Sequence, residues 1–121
     1  MTAEQKRIFV VEDEVLIAFE MADALEDLGF EVVGPSTHLA SALDMAQEMD
    51  IDVACLDVNL GKGKTSEPIA KLLAERGIPY VFITAYDADQ IPFVDSTDKV
   101  LQKPVSIENL RKVLLAASEA S

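Results

Sequence analysis

The chain has 121 residues, 50% hydrophobic and 26% charged, which fits one domain with a buried core and excludes a disordered tail. No run approaches the roughly 20 apolar residues of a membrane helix, Met1 to Arg7 lacks a signal-peptide pattern, and a single Cys55 excludes a disulfide framework or thiolate metal cluster. The formal charge of −12 is lopsided, with 14 acids and two bases in residues 1–60 against eight of each in residues 61–121. The lone cysteine and the absence of an apolar span predict a protein of a reducing cytoplasm that does not enter a membrane, and the charge predicts one that avoids nucleic acid and attracts a cation or a basic partner.

Ile8-Phe9-Val10-Val11 is a continuous apolar run, the mark of a strand covered on both faces. A helix is expected over Val15 to Leu28, with Val15, Phe19, Ala22, Leu25 and Leu28 inward and Gly29 at its stop. Phe30 to Gly34 reads as a second strand, and Leu39 to Met49 as a helix with Leu39, Ala42, Leu43 and Ala46 on one side. Val53 to Leu56 is the third strand and runs into Asp57. Ser66 is placed to cap a helix from Pro68 to Arg76, with Gly77 past its end.

Tyr80 to Ile83 forms a fourth strand and Val100-Leu101 a short fifth. Between them, Asp87 to Asp98 holds four aspartates and carries Pro92 at its centre, so any helix there is short, kinked or mobile. Ser106 caps a last helix with Ile107, Leu110, Val113, Leu114 and Ala117 on its apolar stripe. Five strands alternating with helical crossovers predict an α/β fold with a doubly wound parallel sheet. In such sheets the site lies beyond the carboxyl ends of the strands.

Those ends carry Glu12-Asp13, Asp57, Thr84 and Lys103-Pro104. Two like charges about 4 Å apart repel by roughly 4 kcal/mol at an effective dielectric near 20. Three clustered carboxylates against one lysine would therefore consume much of a stability of about 5–15 kcal/mol. A divalent cation removes the problem, and an all-oxygen ligand set suits Mg²⁺, with Mn²⁺ a close substitute. Beside a Lys and a Thr hydroxyl, such a cleft is equipped to bind a phosphoryl group.

At these residues the chain resembles the receiver domains of two-component response regulators, from about Ile8 to Leu115. The resemblance implies a flavodoxin-like (βα)5 sheet of order 2-1-3-4-5 and a single domain over residues 1–121. It implies that Asp57 accepts a phosphoryl group from the phosphohistidine of a sensor histidine kinase or histidine phosphotransfer protein. Asp13, Asp57 and the backbone carbonyl of Asn59 would hold Mg²⁺, with Glu12 assisting partly through water. Lys103 would pair with the phosphoryl oxygens, Thr84 would swing in to bond one of them, and the Lys103-Pro104 bond would be cis. Helix one would form the kinase-docking face, and the chain would act on itself rather than on an external substrate, as a monomer or weak homodimer.

Two positions depart from the family pattern. Val100 stands where an aromatic residue often provides a rotamer switch, three residues before Lys103. Phe82-Ile83-Thr84-Ala85-Tyr86, ahead of the weak crossover, partly resembles a receiver subgroup with a Phe-Ala-Thr-Gly-type motif and a reduced fourth helix. Tyr86 is a candidate substitute for the missing aromatic. Among the other polar residues, His38 reads as a surface helix start, Cys55 as core, and Lys62 and Lys64 as a loop beside Asp57 without the order of a P-loop.

Two further readings stay open. A degenerate receiver would bind partners without phosphorylation, as Val100 allows. A Mg²⁺-dependent phosphatase with an Asp nucleophile would usually place a second acid two residues on, where this chain has Asn59. No effector segment follows the last helix, which fits either a stand-alone receiver or a piece of a longer chain.

Overall fold

Five apolar runs form five parallel strands: β1 (Arg7–Val11), β2 (Glu31–Ser36), β3 (Val53–Asp57), β4 (Tyr80–Thr84) and β5 (Lys99–Gln102). Their order across the sheet is β2-β1-β3-β4-β5, the doubly wound arrangement expected. Helices α1 (Val15–Asp27), α2 (Leu39–Glu48) and α3 (Glu67–Glu75) make the first three crossovers, the fourth holds among its described residues a 3₁₀ turn, Ala88–Gln90, and α4 (Ile107–Ala120) follows β5. This computed structural model describes residues 5–95 and 97–120; Met1–Glu4, Ser121 and Ser96, inside the weak crossover, lie outside the described residues.

Alternation along the central strands builds two cores. Phe9, Val11, Leu56 and Phe82 pack with Ala42, Ala46, Ile69 and Leu73 of α2 and α3. Ile8, Val10, Cys55, Val81 and Ile83 pack with Leu25 of α1 and Leu110 and Leu114 of α4. Ile91 and Phe93 cover the first core where a helix is missing, and Phe93 stacks edge-on against Phe82.

Three local expectations are corrected. The buried residues of α1 are Ala18, Ala22 and Leu25, whereas Val15, Phe19 and Leu28 are exposed. Part of the reason is α4: Ile17 and Met21 turn toward Val105 and Ile107 across a shared cavity, which rotates the buried arc away from Phe19. Ser66 does hold the N-cap position of α3, yet its hydroxyl makes no capping bond. Its backbone is not extended (φ −84°, ψ 6°), and the preceding Thr65 Oγ1 accepts the Glu67 N–H instead, at 3.3 Å. Finally, β2 does not end at Gly34 but runs through Pro35 to Ser36. Ser106, by contrast, caps α4 as expected, its hydroxyl accepting the Asn109 N–H at 3.1 Å.

Candidate functional site

Each strand delivers its last polar residues to one edge because parallel strands end together. Asp57 and Thr84 are the terminal residues of β3 and β4, Glu12-Asp13 follow β1, and Lys103 follows β5. The Lys103 amide donates to the Thr84 carbonyl at 2.7 Å, tying the fourth and fifth strand ends together. The Lys103-Pro104 bond is cis, as expected.

The pocket centres on one ammonium between two buried carboxylates. Lys103 Nζ lies 3.1 Å from Glu12 Oε1 and 3.3 Å from Asp57 Oδ2. Glu12 is 1% exposed and Asp57 6%, so both are withdrawn from water. The Lys103 contact to Asp57 is an aligned hydrogen bond, but that to Glu12 Oε1 is an ion pair without one, leaving this buried oxygen without a hydrogen-bond donor. Glu12 Oε2 accepts the Glu14 N–H at 3.0 Å.

Glu12, Asp13 and Asp57 each place one carboxylate oxygen within 4.8 Å of the others. Burial, then contact with the Glu12 carboxyl and its charge, push the Asp57 pKa up to about 8, against the pull of Lys103. Burial works against the Lys103 ammonium, but Asp57 and Glu12 more than offset it, so its pKa is raised. An anionic cluster short of positive charge, with one oxygen undonated, fits a hard divalent cation such as Mg²⁺.

Thr84 is buried at the pocket's rim, its Oγ1 accepting the Tyr86 N–H at 3.0 Å. Asn59 is exposed on the loop after β3 and bridges Thr65. Gly61 approaches from the same loop; a Cβ there would sit 3.5 Å from Asp13 Oδ2. Lys62 and Lys64 do not reach Asp57 but line, with Asp13, His38 and Leu43, a cavity of about 590 Å³. His38 is the exposed N-cap of α2, and Cys55 is core, its thiol pushed far up by burial and by the charges of Glu12 and Asp57.

Sequence reasoning missed two groups of residues that bear on the site. Gln102 Nε2 donates to Asp87 Oδ1 at 3.1 Å, linking the residue before Lys103 to the irregular crossover. Gly34 and Ser36 shape the strand beside Glu12, because β2 runs on through Pro35 past the Gly34 end expected from the sequence. The exposure of Leu16, at 80%, was also hidden, because amphipathic periodicity does not reveal an apolar residue left outside.

A flavodoxin-like sheet carrying this acid-and-lysine pocket at its strand ends is the architecture of a receiver. The chain belongs to the response regulator receiver domain family, which matches residues 8–115. It is 27% identical over 84 residues to the transcriptional regulatory protein PdtaR of Mycobacterium tuberculosis, covering 69% of this chain and 41% of PdtaR. The chain thus spans less than half the length of that relative. Among solved structures, SdrG of Sphingomonas melonis Fr1 is 42% identical, covering 98% of this chain and 99% of SdrG, with a TM-score of 0.76. SdrG has also been solved in a BeF3-activated conformation, at 42% identity, covering 95% of this chain and 98% of that one, with a TM-score of 0.75. A response regulator receiver protein from Sinorhizobium medicae shares the fold, at a TM-score of 0.84 and 22% identity over 98% of each chain. Among the described residues no helix is long and apolar enough to cross a membrane.

Proposed function

We propose that residues 1–121 form one receiver domain that takes a phosphoryl group onto Asp57 and serves as a phosphorylation-controlled switch. The observation that carries this reading is the Lys103 ammonium held between the Glu12 and Asp57 carboxylates, with Asp13 beside them. An Asp57 carboxylate oxygen attacks phosphorus, the O–P bond forms as the P–N bond of a phosphohistidine breaks, and the electron pair leaves on the imidazole nitrogen. Lys103 pairs with the incoming phosphoryl oxygens as its hold on Asp57 is exchanged for them. Asp13, Asp57 and the Asn59 carbonyl would hold Mg²⁺, with Glu12 assisting, and the bound cation supplies charge neutralisation for the transferring group. Water attacking the acyl phosphate resets Asp57, so the chain turns over no separate substrate.

Transmission runs through Thr84. Its hydroxyl accepts the Tyr86 N–H, so turning Thr84 toward a phosphoryl oxygen disturbs that bond and the turn after it. Asp87 and Gln90 cap that turn reciprocally, and Gln102 holds Asp87. This backbone route needs no aromatic at Val100, which packs against the core. The partial Phe-Ala-Thr-Gly-type motif and a fourth crossover without an α-helix among its described residues support placing the chain in that receiver subgroup.

The exposed apolar residues of α1, Val15, Leu16 and Phe19, beside acidic Glu14, Glu20 and Asp23, suit docking of a histidine kinase or phosphotransfer protein with a basic rim. We place the chain in the cytoplasm, as a monomer or weak homodimer acting on a protein target. Val100 favours one second reading, a receiver that signals without phosphorylation; a Mg²⁺-dependent phosphatase is disfavoured by Asn59 at the position of its usual second acid. The test is intact mass after incubation with a small-molecule phosphodonor and Mg²⁺. One phosphoryl adduct, absent in Asp57→Asn and after chelation, is expected; no adduct from any phosphodonor or phosphohistidine protein overturns the reading.

A further inference from the structure

Glu12 enters the pocket from a strand end whose geometry depends on its neighbour, β2. From Phe9↔Val33 to Val11↔Ser36, β1 advances two residues while β2 advances three. The extra residue is a bulge at Gly34-Pro35. Gly34 has φ +95°, and a Cβ there would stand 2.8 Å from the Ser36 nitrogen and 3.3 Å from the Val10 carbonyl oxygen, so only glycine fits. The bulge brings Ser36 opposite Val11, and the Ser36 carbonyl accepts the Glu12 N–H at 3.1 Å.

Ser36 is itself clamped. It is buried, its Oγ lies 2.6 Å from Ser41 Oγ, and both hydroxyls lie 3.2 Å from the His38 carbonyl oxygen. Either hydroxyl can donate to the other while its partner donates to His38, so both protons are used in each arrangement. Ser36 is thus fixed to the first turn of α2. Glu12 then hangs between two amide bonds: its own N–H on Ser36, and its Oε2 on the Glu14 N–H. Together they fix the Glu12 carboxylate in the cluster with Asp13 and Asp57, its Oε1 facing Lys103 Nζ at 3.1 Å.

We propose that Ser36 is a positioning residue for the cation pocket: its side chain, clamped to α2, holds the bulged strand so that its carbonyl sets the backbone of Glu12. The inference rests on the Mg²⁺ reading of that pocket. It assigns a functional consequence to a serine on an edge strand that is joined to the pocket through the Glu12 N–H and is not itself among the residues that would touch the phosphoryl group.

Gly34→Ala forces a methyl group onto the Ser36 nitrogen and risks the fold, so Ser36→Ala is the better variant. Mg²⁺ affinity of the full chain is measured by titration calorimetry, alongside the amide resonance of Glu12. Supporting groups of this kind typically change metal affinity by about 10-fold or more. Ser36→Ala is expected to weaken Mg²⁺ binding about tenfold and to shift the Glu12 amide signal. Ser36→Thr, which keeps a hydroxyl, restores both. Ala46→Gly, which loosens α2 without touching the clamp, leaves both unchanged. Parent-like Mg²⁺ affinity in Ser36→Ala, or an equal loss in Ala46→Gly, overturns the positioning role alone. A parent chain that takes up no Mg²⁺ overturns the metal reading as well, so the two failures are told apart.

Discussion

Thr84 Oγ1 accepts a hydrogen bond from the main-chain N–H of Tyr86 at 3.0 Å, two residues further along the chain. The hydroxyl that would grip a phosphoryl group is therefore already bonded to the start of the irregular crossover. Phosphorylation is expected to change hydrogen exchange from Tyr86 to Gln90, as capture of a charged group reorders a neighbouring loop. Thr84→Ala should speed exchange at Tyr86 before any phosphodonor is added and abolish the further change. Identical exchange with and without phosphoryl-Asp57 would sink this route.

Asp57 links stability to pH. Its folded pKa of about 8 lies above the ordinary 3.8, so the folded chain binds more protons than the unfolded chain between those values. Without Mg²⁺, the Asp57 contribution makes stability fall as pH rises through that window and level off above it. Asp57→Asn removes the buried charge and should stabilise the metal-free chain at pH 8 by about 1–3 kcal/mol. Each kcal/mol is worth about 4 °C in melting temperature for a domain of this size. A variant that melts at or below the parent temperature contradicts the assignment.

Mg²⁺ should compete with the proton on Asp57. Its affinity is expected to rise as pH increases from 6 to about 8, with proton release on binding near neutrality. Calorimetry in buffers of different ionisation enthalpy reads that release directly. Chelation should lower the melting temperature at pH 8 and leave it nearly unchanged at pH 5.

Lys103 holds two buried carboxylates, so Lys103→Met leaves both without their ammonium. Breaking a buried pair typically costs about 3–5 kcal/mol, and the lysine's partial exposure, 25% of its side chain, argues for the lower end. Added Mg²⁺ should recover part of the stability but not the phosphoryl adduct. Chemical denaturation and intact mass separate the two effects.

The α1 surface is expected to be free of any stability role. Leu16→Glu, at a position 80% exposed, should change stability by less than about 0.5 kcal/mol. The same change should slow phosphotransfer from a phosphohistidine protein while leaving labelling by a small phosphodonor intact. Equal rates from both donors would remove α1 from the docking face.

Much of this was legible in the sequence because the information was local. Four apolar runs ending in Glu12-Asp13, Asp57, Thr84 and Lys103 report both the strands and their shared edge. Pro92 and its aspartates reported the missing helix. Other features depended on neighbours distant in the chain. The burial of α1 follows its contact with α4, which periodicity within residues 15–28 does not contain. Thr65 rather than Ser66 caps α3 because the backbone turns at Ser66, and the run of β2 through Gly34-Pro35 depends on pairing with β1.

β5 is four residues long, lies at the sheet's edge and, among the described residues of the preceding crossover, has no α-helix laid across it. Native proteins open piecewise, and thinly covered edges form the cooperative unit that opens most readily. Here that unit adjoins Lys103, whose amide is bonded to Thr84. When the edge frays, the ammonium departs from Glu12 and Asp57 together. Charge balance in the pocket and local opening of the sheet then form one equilibrium, and a cation that takes over the lysine's place at the carboxylates would make that opening easier.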